Sequence, residues 1–378
     1  MSNIKYLKLR FPEFTGEWEV RKLGELIKVN MCKRIFSNQT ASIGEVPFYK
    51  IGTLGDKADS YISRELFEEY KDKYNYPRKG EILITCSGTV GKTVIYDGRD
   101  SYYQDSNIVW LNNDNKIICN SIIKIIISRI DWNRKLNSTT ITRLYNDDIR
   151  SLIIEFPTEK EEQQKIGDFF MLLDKRIEQQ EQKIALLKDY KKAMMQKIFS
   201  QKIRFKDDNG NDYPDWEEKK LGKICRVKSS QLTNNVVEEI GKYPVYGANS
   251  IVGYTENYEV NKYVSIVKDG AGVGRIAFIN NKSSVLGTLQ YLIGIEITTE
   301  FLYVLLSNVN FKLYQTGTTI PHIYFKDYSK MIIDIPCQLE QEKISSFLFA
   351  MDLNLENQEA ILNNLKEQKQ GLLRKMFV

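Results

Sequence analysis

The sequence of 378 residues contains the same series of motifs twice, in the same order. A repeat period of half the chain indicates a tandem duplication, because solenoid arrays repeat about every 20–50 residues. The chain is therefore expected to fold as two related halves. The matching motifs are Lys8–Phe11 with Lys202–Phe205, Trp18–Gly24 with Trp216–Gly222, Val46–Tyr49 with Tyr243–Tyr246, Thr139–Tyr145 with Thr318–Tyr324, and Glu162–Ile166 with Glu340–Ile344.

Each half ends in a segment whose apolar residues recur at alternating steps of four and three. This strict a/d heptad pattern predicts a long helix with a narrow apolar seam, which suits one partner helix, so we expect the two copies to pair antiparallel. Residues 161–199 as one helix would be ~58 Å long. Gln180 and Lys191 interrupt the first seam, and Gln358 and Lys369 interrupt the second at the same positions. The predicted seam residues are Ile166, Phe170, Leu173, Ile177, Ile184 and Leu187, with Ile344, Leu348, Met351, Leu355, Leu362 and Leu365.

The segment before each helix contains short β-like runs separated by Gly, Asn and Asp turns. These runs predict a mixed, mostly antiparallel sheet with one amphipathic helix, near 121–132 in the first copy and 300–311 in the second. The predicted fold class is α+β, a tandem duplication of two mixed α/β domains separated by two long helices that pair as an antiparallel coiled coil. The linker Lys206–Pro214 is expected to be a solvated hinge. The predicted boundaries are 1–157 and 201–336 for the domains, and 158–200 and 337–378 for the helices.

The composition describes a globular protein of mild basicity, with a net charge of +5 and a pI of about 8.6. Such a charge permits a polyanionic partner without requiring one.

The five cysteines are scattered and contain no Cys-x-x-Cys pair, and no secretory leader is recognisable, so we expect free thiols and a cytoplasmic location. The most apolar run, 117–130, is too short and too polar to span a bilayer, so no membrane role is expected.

The stretch Ile84–Thr93 ends in Gly-Lys-Thr after a β-like run and resembles part of a phosphate-binding loop. A Walker A loop needs a glycine where this chain has Cys86, which argues against nucleotide binding. The second copy keeps the Val-Gly step but replaces Lys92 with Arg275 and Thr93 with Ile276. We therefore predict a tight turn between two strands, and the alternative is a turn whose Lys92 or Arg275 contacts a DNA phosphate.

No arrangement typical of a catalytic or metal site is present in the sequence. The single histidine, His322, matches Arg143 in the first copy and cannot build a histidine-rich metal site. An exchange of His for Arg suits a contact to phosphate or a base edge better than acid–base catalysis. The residues Asp215, Glu217 and Lys219 are too close together to form a metal nuclease site. We predict that this chain has no catalytic residues and no metal ligands.

Two pairs of loops are rich in hydroxyl, amide and basic side chains. Such side chains suit hydrogen bonds to phosphates and base edges, although they also occur in ordinary turns, and composition alone leaves the two alternatives open. The candidate DNA-binding residues are Lys50, Thr53, Lys92, Thr139, Thr140, Arg143, Asn249, Arg275, Thr318, Thr319, His322 and Lys326.

The chain resembles the specificity (S) subunits of type I restriction–modification systems along essentially its whole length. The resemblance is carried by Leu9–Gly24, Tyr243–Ala248, Thr318–Tyr324 and the helix start Gln341–Ile344, together with the alternation of domain and helix. It implies that the domains are target-recognition domains, each reading one half of a bipartite, asymmetric target in double-stranded DNA. The helices are expected to fix the spacing between the half-sites.

The same resemblance implies partners and places the chemistry in them. Two modification (M) subunits are expected to dock on the helices, and restriction (R) subunits to join the complex. S-adenosylmethionine, ATP and Mg are expected in those subunits, and no cofactor is expected in this non-catalytic chain. The alternative function is a coiled-coil scaffold that joins proteins without binding DNA.

Overall fold

The computed structural model describes residues 9–135, 143–270, 272–317 and 319–377. The chain divides into two compact units. The first runs to Glu181 and takes in the chain from Ile361 onward, and the second is Gln182–Ala360. Each unit therefore contains one globular portion together with a segment of each long helix.

The first unit contains nine strands and four short helices among its described residues, followed by the start of the first long helix. The strands are β1 (Trp18–Lys22), β2 (Lys28–Asn30), β3 (Val46–Tyr49), β4 (Tyr61–Ile62), β5 (Ile82–Thr85), β6 (Thr93–Ile95), β7 (Tyr102–Tyr103), β8 (Ile108–Asn112) and β9 (Ile153–Pro157). The helices are α1 (Arg64–Lys73), α2 (Asn120–Ser128), α3 (Trp132–Lys135), α4 (Asn146–Arg150) and the long α5 (Lys160–Phe199).

The second unit repeats these elements in order, without a counterpart of α1 among its described residues. Its strands are β10 (Glu217–Lys220), β11 (Cys225–Ser229), β12 (Tyr243–Tyr246), β13 (Ile251–Thr255), β14 (Tyr263–Val267), β15 (Ile276–Ile279), β16 (Ser284–Val285), β17 (Leu289–Gly294) and β18 (Ile332–Ile335). Its helices are α6 (Leu221–Ile224), α7 (Thr299–Ser307), α8 (Phe325–Tyr328) and the long α9 (Gln338–Met376). Its α6 replaces a 3-10 turn at Leu23–Glu25, and a 3-10 turn at Phe311–Tyr314 replaces α3.

The two units have the same sheet topology. The first has sheets of order β2-β8-β5-β6, β4-β3-β7 and β1-β9, and the second has β11-β17-β14-β15, β13-β12-β16 and β10-β18. The pairs β3–β7 and β12–β16 are parallel, and the other strand pairs are antiparallel. The structure thus confirms the α+β duplication that the repeat predicts.

The core of each unit is closed by the beginning of one long helix and the end of the other. In the first unit, Ile166 and Phe170 of α5 share a buried cluster with Leu373, Met376 and Phe377 at the end of α9. In the second unit, Ile344 and Leu348 of α9 share a cluster with Ile198 at the end of α5. Burial of these large side chains ties both helix ends to the sheets at about 1.5–3 kcal/mol for each.

Each long helix begins with a buried glutamate that binds an arginine from the segment before the first strand of the unit. Both carboxylate oxygens of Glu162 accept hydrogen bonds from Arg10, each at 2.6 Å, and Glu162 is fully buried. The indole of Trp18 also donates to it. A charge buried in this way is tolerated only because it is paired in a bidentate geometry. The matching residues of the second unit are Glu340, Arg204 and Trp216.

The N-terminal segment runs beside the end of α9 in the first unit. The amide of Leu9 donates to the carbonyl of Lys375 at 2.8 Å. In the second unit the amide of Ile203 donates to the carbonyl of Lys197 at 3.2 Å, where α5 ends and the chain continues. In both units, the residue before the arginine of the repeated motif therefore bonds to the end of a long helix.

The long helices pair antiparallel in each unit. In the second unit, Lys188 bonds to Glu359 at 2.6 Å and Lys191 bonds to Asp352. The partner's residue number on α9 therefore falls as the residue number on α5 rises, which is the antiparallel relation. The first unit has the symmetric pairs Glu181–Lys366 and Asp174–Lys369. Lys191 and Lys369, two of the residues that interrupt the heptads, are thus satisfied by an aspartate on the facing helix.

The residues proposed for the seam lie on the inner side of these helices. Ile166, Phe170, Ile184, Ile344, Leu348 and Leu355 are buried, and Leu173, Ile177, Leu187, Met351, Leu362 and Leu365 are half-buried. By contrast, Met171, Leu172, Leu186 and Leu353 on the helices are exposed by 60% or more.

Two local expectations differ from the structure, and one helix was not predicted. The helices expected over 121–132 and 300–311 end at Ser128 and Ser307, and a separate short helix begins at Trp132 and at Phe311. The linker expected to be a solvated hinge is largely exposed, but it folds into a tight turn, because the carboxylate of Asp207 accepts from the amides of Asn209 and Asn211. The helix that was not predicted is α1, whose sequence is mostly polar, with Leu66, Phe67 and Tyr70 as its apolar residues.

No helix in the part of the chain that the structure describes is long and apolar enough to cross a membrane.

Candidate nucleic-acid interface

A glycine turn joins β5 to β6 in the first unit. Thr85 and the end of the turn form a closed pair of backbone hydrogen bonds, from the Thr85 amide to the Lys92 carbonyl at 3.0 Å and from the Gly91 amide to the Thr85 carbonyl at 2.9 Å. Gly91 has a φ of +81°, and a Cβ there would lie 2.0 Å from Trp132 Cδ1. Glycine is therefore required both by the backbone conformation and by the ring packed against it.

The turn between β14 and β15 repeats this geometry. The Val267 amide donates to the Arg275 carbonyl at 2.9 Å, and the Gly274 amide donates to the Val267 carbonyl at 2.9 Å. Gly274 has a φ of +82°, and a Cβ there would lie 2.6 Å from Phe311 Cβ. The stretch that resembled a phosphate-binding loop is thus a strand–strand turn in both units, as predicted.

The basic residue at the end of each turn contacts a loop of the three-stranded sheet, the loop after β3 in the first unit and the loop after β12 in the second. In the first unit, Lys92 Nζ lies 3.0 Å from Asp56 Oδ2, and both side chains are more than one-third exposed. In the second unit, Arg275 donates to the Asn249 side chain and to the Ala248 carbonyl, the latter at 3.2 Å. The structure therefore brings the predicted residues Asn249 and Arg275 together, and it gives Lys92 an acidic partner that the sequence analysis missed.

The loops carrying Arg143 and His322 occupy the same place in the two units. The Leu144 amide donates to the carbonyl of Cys86, the residue after β5, at 2.8 Å. The Ile323 amide donates to the carbonyl of Lys268, the residue after β14, at 2.9 Å. These equivalent bonds confirm the alignment of Arg143 with His322 and place each beside its glycine turn.

The partners of these two side chains differ. His322 Nδ1 lies 2.7 Å from Asp269 Oδ1, so the carboxylate can orient the imidazole ring. Arg143 donates to the Ser106 carbonyl at 3.4 Å and lies over the Tyr145 ring. Burial raises the pKa of the nearby Cys86 thiol to about 11, and the positive charge of Arg143 acts in the opposite direction on that pKa. The side chains of Arg143 and His322 both remain at the surface, where a polyanion can reach them.

The remaining candidates are less closely grouped. Thr53 is engaged in its own turn, because its hydroxyl and amide bond to the backbone of Lys50, and this favours the ordinary-turn alternative for Thr53. Lys50 pairs with Asp59 at 2.9 Å. Thr319 is exposed, and exposed Lys326 lies 5.3 Å from the Tyr324 ring centroid. Thr139, Thr140 and Thr318 lie outside the described residues.

Asp56 and Asp269 are parts of this surface that the sequence analysis did not identify. Asp56 lies 36 residues from Lys92, and Asp269 lies 53 residues from His322. Neither acidic residue is repeated in the other copy, where Ser87 aligns with Asp269, so the internal repeat carried no signal for them. Within the described ranges, no group of three or more His, Cys, Asp or Glu residues could hold a metal ion.

Comparisons with known proteins agree with this architecture. The type I restriction modification DNA specificity domain matches twice, over residues 15–189 and 213–367. A type I restriction enzyme specificity subunit from Haemophilus influenzae is 50% identical over 157 residues, which are 42% of this chain and 40% of that protein. The four curated relatives compared are matched over 37% to 65% of their own length.

Two solved structures share the fold. The S subunit of a type I restriction–modification system from M. genitalium has a TM-score of 0.66 at 20% identity, covering 97% of this chain and 98% of that one. A chain from a structure of the complex assembly and conformational transition of a type I R-M system has a TM-score of 0.54 at 15% identity, with the same coverage. With two specificity domains spanning most of its length, the chain belongs to the family of type I restriction–modification specificity subunits.

Proposed function

We propose that this chain is the non-catalytic, sequence-specific DNA-binding subunit of a type I restriction–modification complex. Each unit reads one half of a bipartite, asymmetric target in double-stranded DNA. The observation that carries the proposal is a shared backbone with different side chains. The two glycine turns and their neighbouring loops keep the same hydrogen bonds, while Arg143 stands where the other unit has His322.

The side chains grouped beside the glycine turns suit this role. Asn249 is an amide that can pair with an adenine edge, and Arg275 and Arg143 are guanidinium groups that can bind phosphate or guanine. All three lie at the surface. Because the groups differ between the units, the two half-sites are expected to have different sequences.

The chemistry belongs to partner subunits in this proposal. Two M subunits dock on the helices, carry S-adenosylmethionine and methylate adenine, and R subunits add ATP- and Mg-dependent translocation and cleavage. Exposed apolar residues on the outer helix faces support a docking role, with Met171 and Leu172 in the first unit and Leu186 and Tyr190 in the second. The helices fix the gap between the half-sites.

The test is to express the chain with its cognate M subunit in a host that lacks the system and to map methylated adenines by long-read sequencing. We expect one new split motif with two different half-sites. A methylome without a new split motif would contradict the proposal. A band-shift with a randomised duplex library, with the M subunit present, would then separate a weak DNA reader from a scaffold that does not bind DNA.

A further inference from the structure

The two units differ in the loop that joins β7 to β8 in the first unit and β16 to β17 in the second. The start of this loop is equivalent in both, because the amide of Gln104 donates to the Tyr49 carbonyl and the amide of Leu286 donates to the Tyr246 carbonyl. Its end is equivalent too, because β8 and β17 begin opposite the last residues of β5 and β14. Between these points the first unit has one residue more.

In the second unit the loop closes directly against a neighbouring segment. The amide of Gly287 donates to the Leu232 carbonyl at 2.7 Å. A Cβ at position 287 would lie 3.3 Å from that oxygen and 3.4 Å from the Ser230 carbonyl. Backbone therefore fills this place, and a side chain at position 287 would press against both carbonyls.

In the first unit the extra residue opens a cleft at the same place. Ser106 takes a φ of +52°, and the adjacent Asp105 holds Arg34 by a 2.8 Å bond to Nε. The second unit contacts this neighbouring segment through the backbone amide of Gly287. The first unit contacts the corresponding segment through the side chain of Asp105. The result is a cleft of about 380 Å³, lined by Arg34, Phe36, Lys50, Gln104, Asp105 and Asn107.

Two side chains of this cleft have hydrogen-bonding capacity left over. The side-chain oxygen of Gln104 is buried and has no hydrogen-bond partner among the described residues. Arg34 is 59% exposed, and Asp105 engages its Nε, which orients the guanidinium and leaves the Nη donors of the fork for a further acceptor. A buried acceptor beside an oriented guanidinium favours a ligand that offers both a donor and acceptors.

We infer that this cleft is a further part of the first unit that reads base-pair edges, with Arg34 and Gln104 as specificity-determining residues for purines. Arginine pairs with O6 and N7 of guanine, and glutamine pairs with N6 and N7 of adenine, both in the major groove. Contact with adenine requires the Gln104 amide to turn its buried oxygen into the cleft. Arg143 contacts the Ser106 carbonyl beside the cleft, and Lys50 lines it, so two basic side chains are placed for the phosphates. The inference rests on the proposed function and adds residues outside the glycine turn to those that read the half-site.

The test uses the full chain with its M subunit and compares methylated motifs of three variants. Arg34→Ala and Gln104→Leu alter the cleft, and leucine is the residue that the second unit has at the position of Gln104. Arg99→Ala is the matched control, because Arg99 is also exposed in the first unit and also bonds through Nε to one aspartate, Asp97 at 2.6 Å. Thermal unfolding of each variant is measured alongside.

We expect each cleft variant to relax the motif at one or two positions of one half-site and to leave the other half-site unchanged, with at least tenfold lower discrimination at the relaxed positions. Arg99→Ala should keep the wild-type motif. The unchanged half-site shows that the variant folds and assembles. If Arg34→Ala destabilises the chain, Gln104→Leu carries the test alone.

Two results would overturn the inference without touching the proposed function. One is a wild-type motif in both cleft variants. The other is an equal weakening of both half-sites in a variant that unfolds at the wild-type temperature. A wild-type complex that methylates no split motif would instead overturn the proposed function together with the inference that rests on it.

Discussion

Gly91 and Gly274 are the residues on which the two glycine turns depend. Both combine a positive φ with a neighbouring ring or side chain that leaves no room for a Cβ. The sequence predicted this position, because the Val-Gly step is kept in both copies although the residues after it change. It did not predict Trp132 and Phe311 as the packing partners, because these side chains come from short helices with no repeated motif.

We predict that Gly91→Ala lowers the free energy of unfolding by about 2–4 kcal/mol, because it adds backbone strain and a clash with Trp132. Urea unfolding of the chain measures the change. Gly52→Ala is the control, since a Cβ there would meet nothing within 4 Å, and we expect a change within about 0.5 kcal/mol. Equal effects of the two substitutions would show that the turn geometry is not what requires Gly91.

The sequence allowed candidate residues to be selected at the interface, but it did not allow their side-chain partners to be predicted. Arg143, His322, Asn249 and Arg275 could be selected because they occupy matching loops. Their contacts with Ser106, Asp269 and Ala248 could not, because each depends on how loops distant in sequence pack together. All the candidate DNA-binding residues remain predictions, and three of them, Thr139, Thr140 and Thr318, lie outside the described residues.

At the scale of elements, the heptads of α5 and α9 were the most informative feature of the sequence. A strict a/d period fixes which face is buried, and the antiparallel pairing follows from two equal copies in one chain. The ion pairs on the facing helices could not be derived, because the heptad gives the seam but not the register. The polar helix α1 lacked such a period and was missed.

We predict that Lys191 and Asp352 are energetically coupled by about 0.5–1.5 kcal/mol, since they are largely shielded from solvent across the helix pair. A double-mutant cycle with Lys191→Glu and Asp352→Lys measures this coupling through denaturant unfolding, and the double exchange should recover most of the loss of either single change. Lys192→Glu with Asp352→Lys is the control, because Lys192 is an exposed neighbour. No coupling in the first cycle would contradict the register.

At the scale of the whole molecule, the helices are proposed to set the gap between two half-sites. A continuous helix of 40 residues, as α5 is, has a length of ~60 Å. Removing one heptad from each helix, for example 178–184 and 356–362, keeps the seam in phase while shortening both. We expect the gap in the methylated motif to shorten or assembly to be lost. Methylation at an unchanged gap would contradict the spacer role.

Each unit is proposed to read its own half-site, and exchanging the globular segment of one unit tests this proposal. Residues 25–155 are replaced by the corresponding segment of another family member, the chain is expressed with its M subunit, and methylated adenines are mapped by long-read sequencing. Exchange of residues 223–334 serves as the reciprocal control. We expect each exchange to change one half-site, a different one in each case, and to keep the other. Exchanges that alter both half-sites together, or neither, would contradict it.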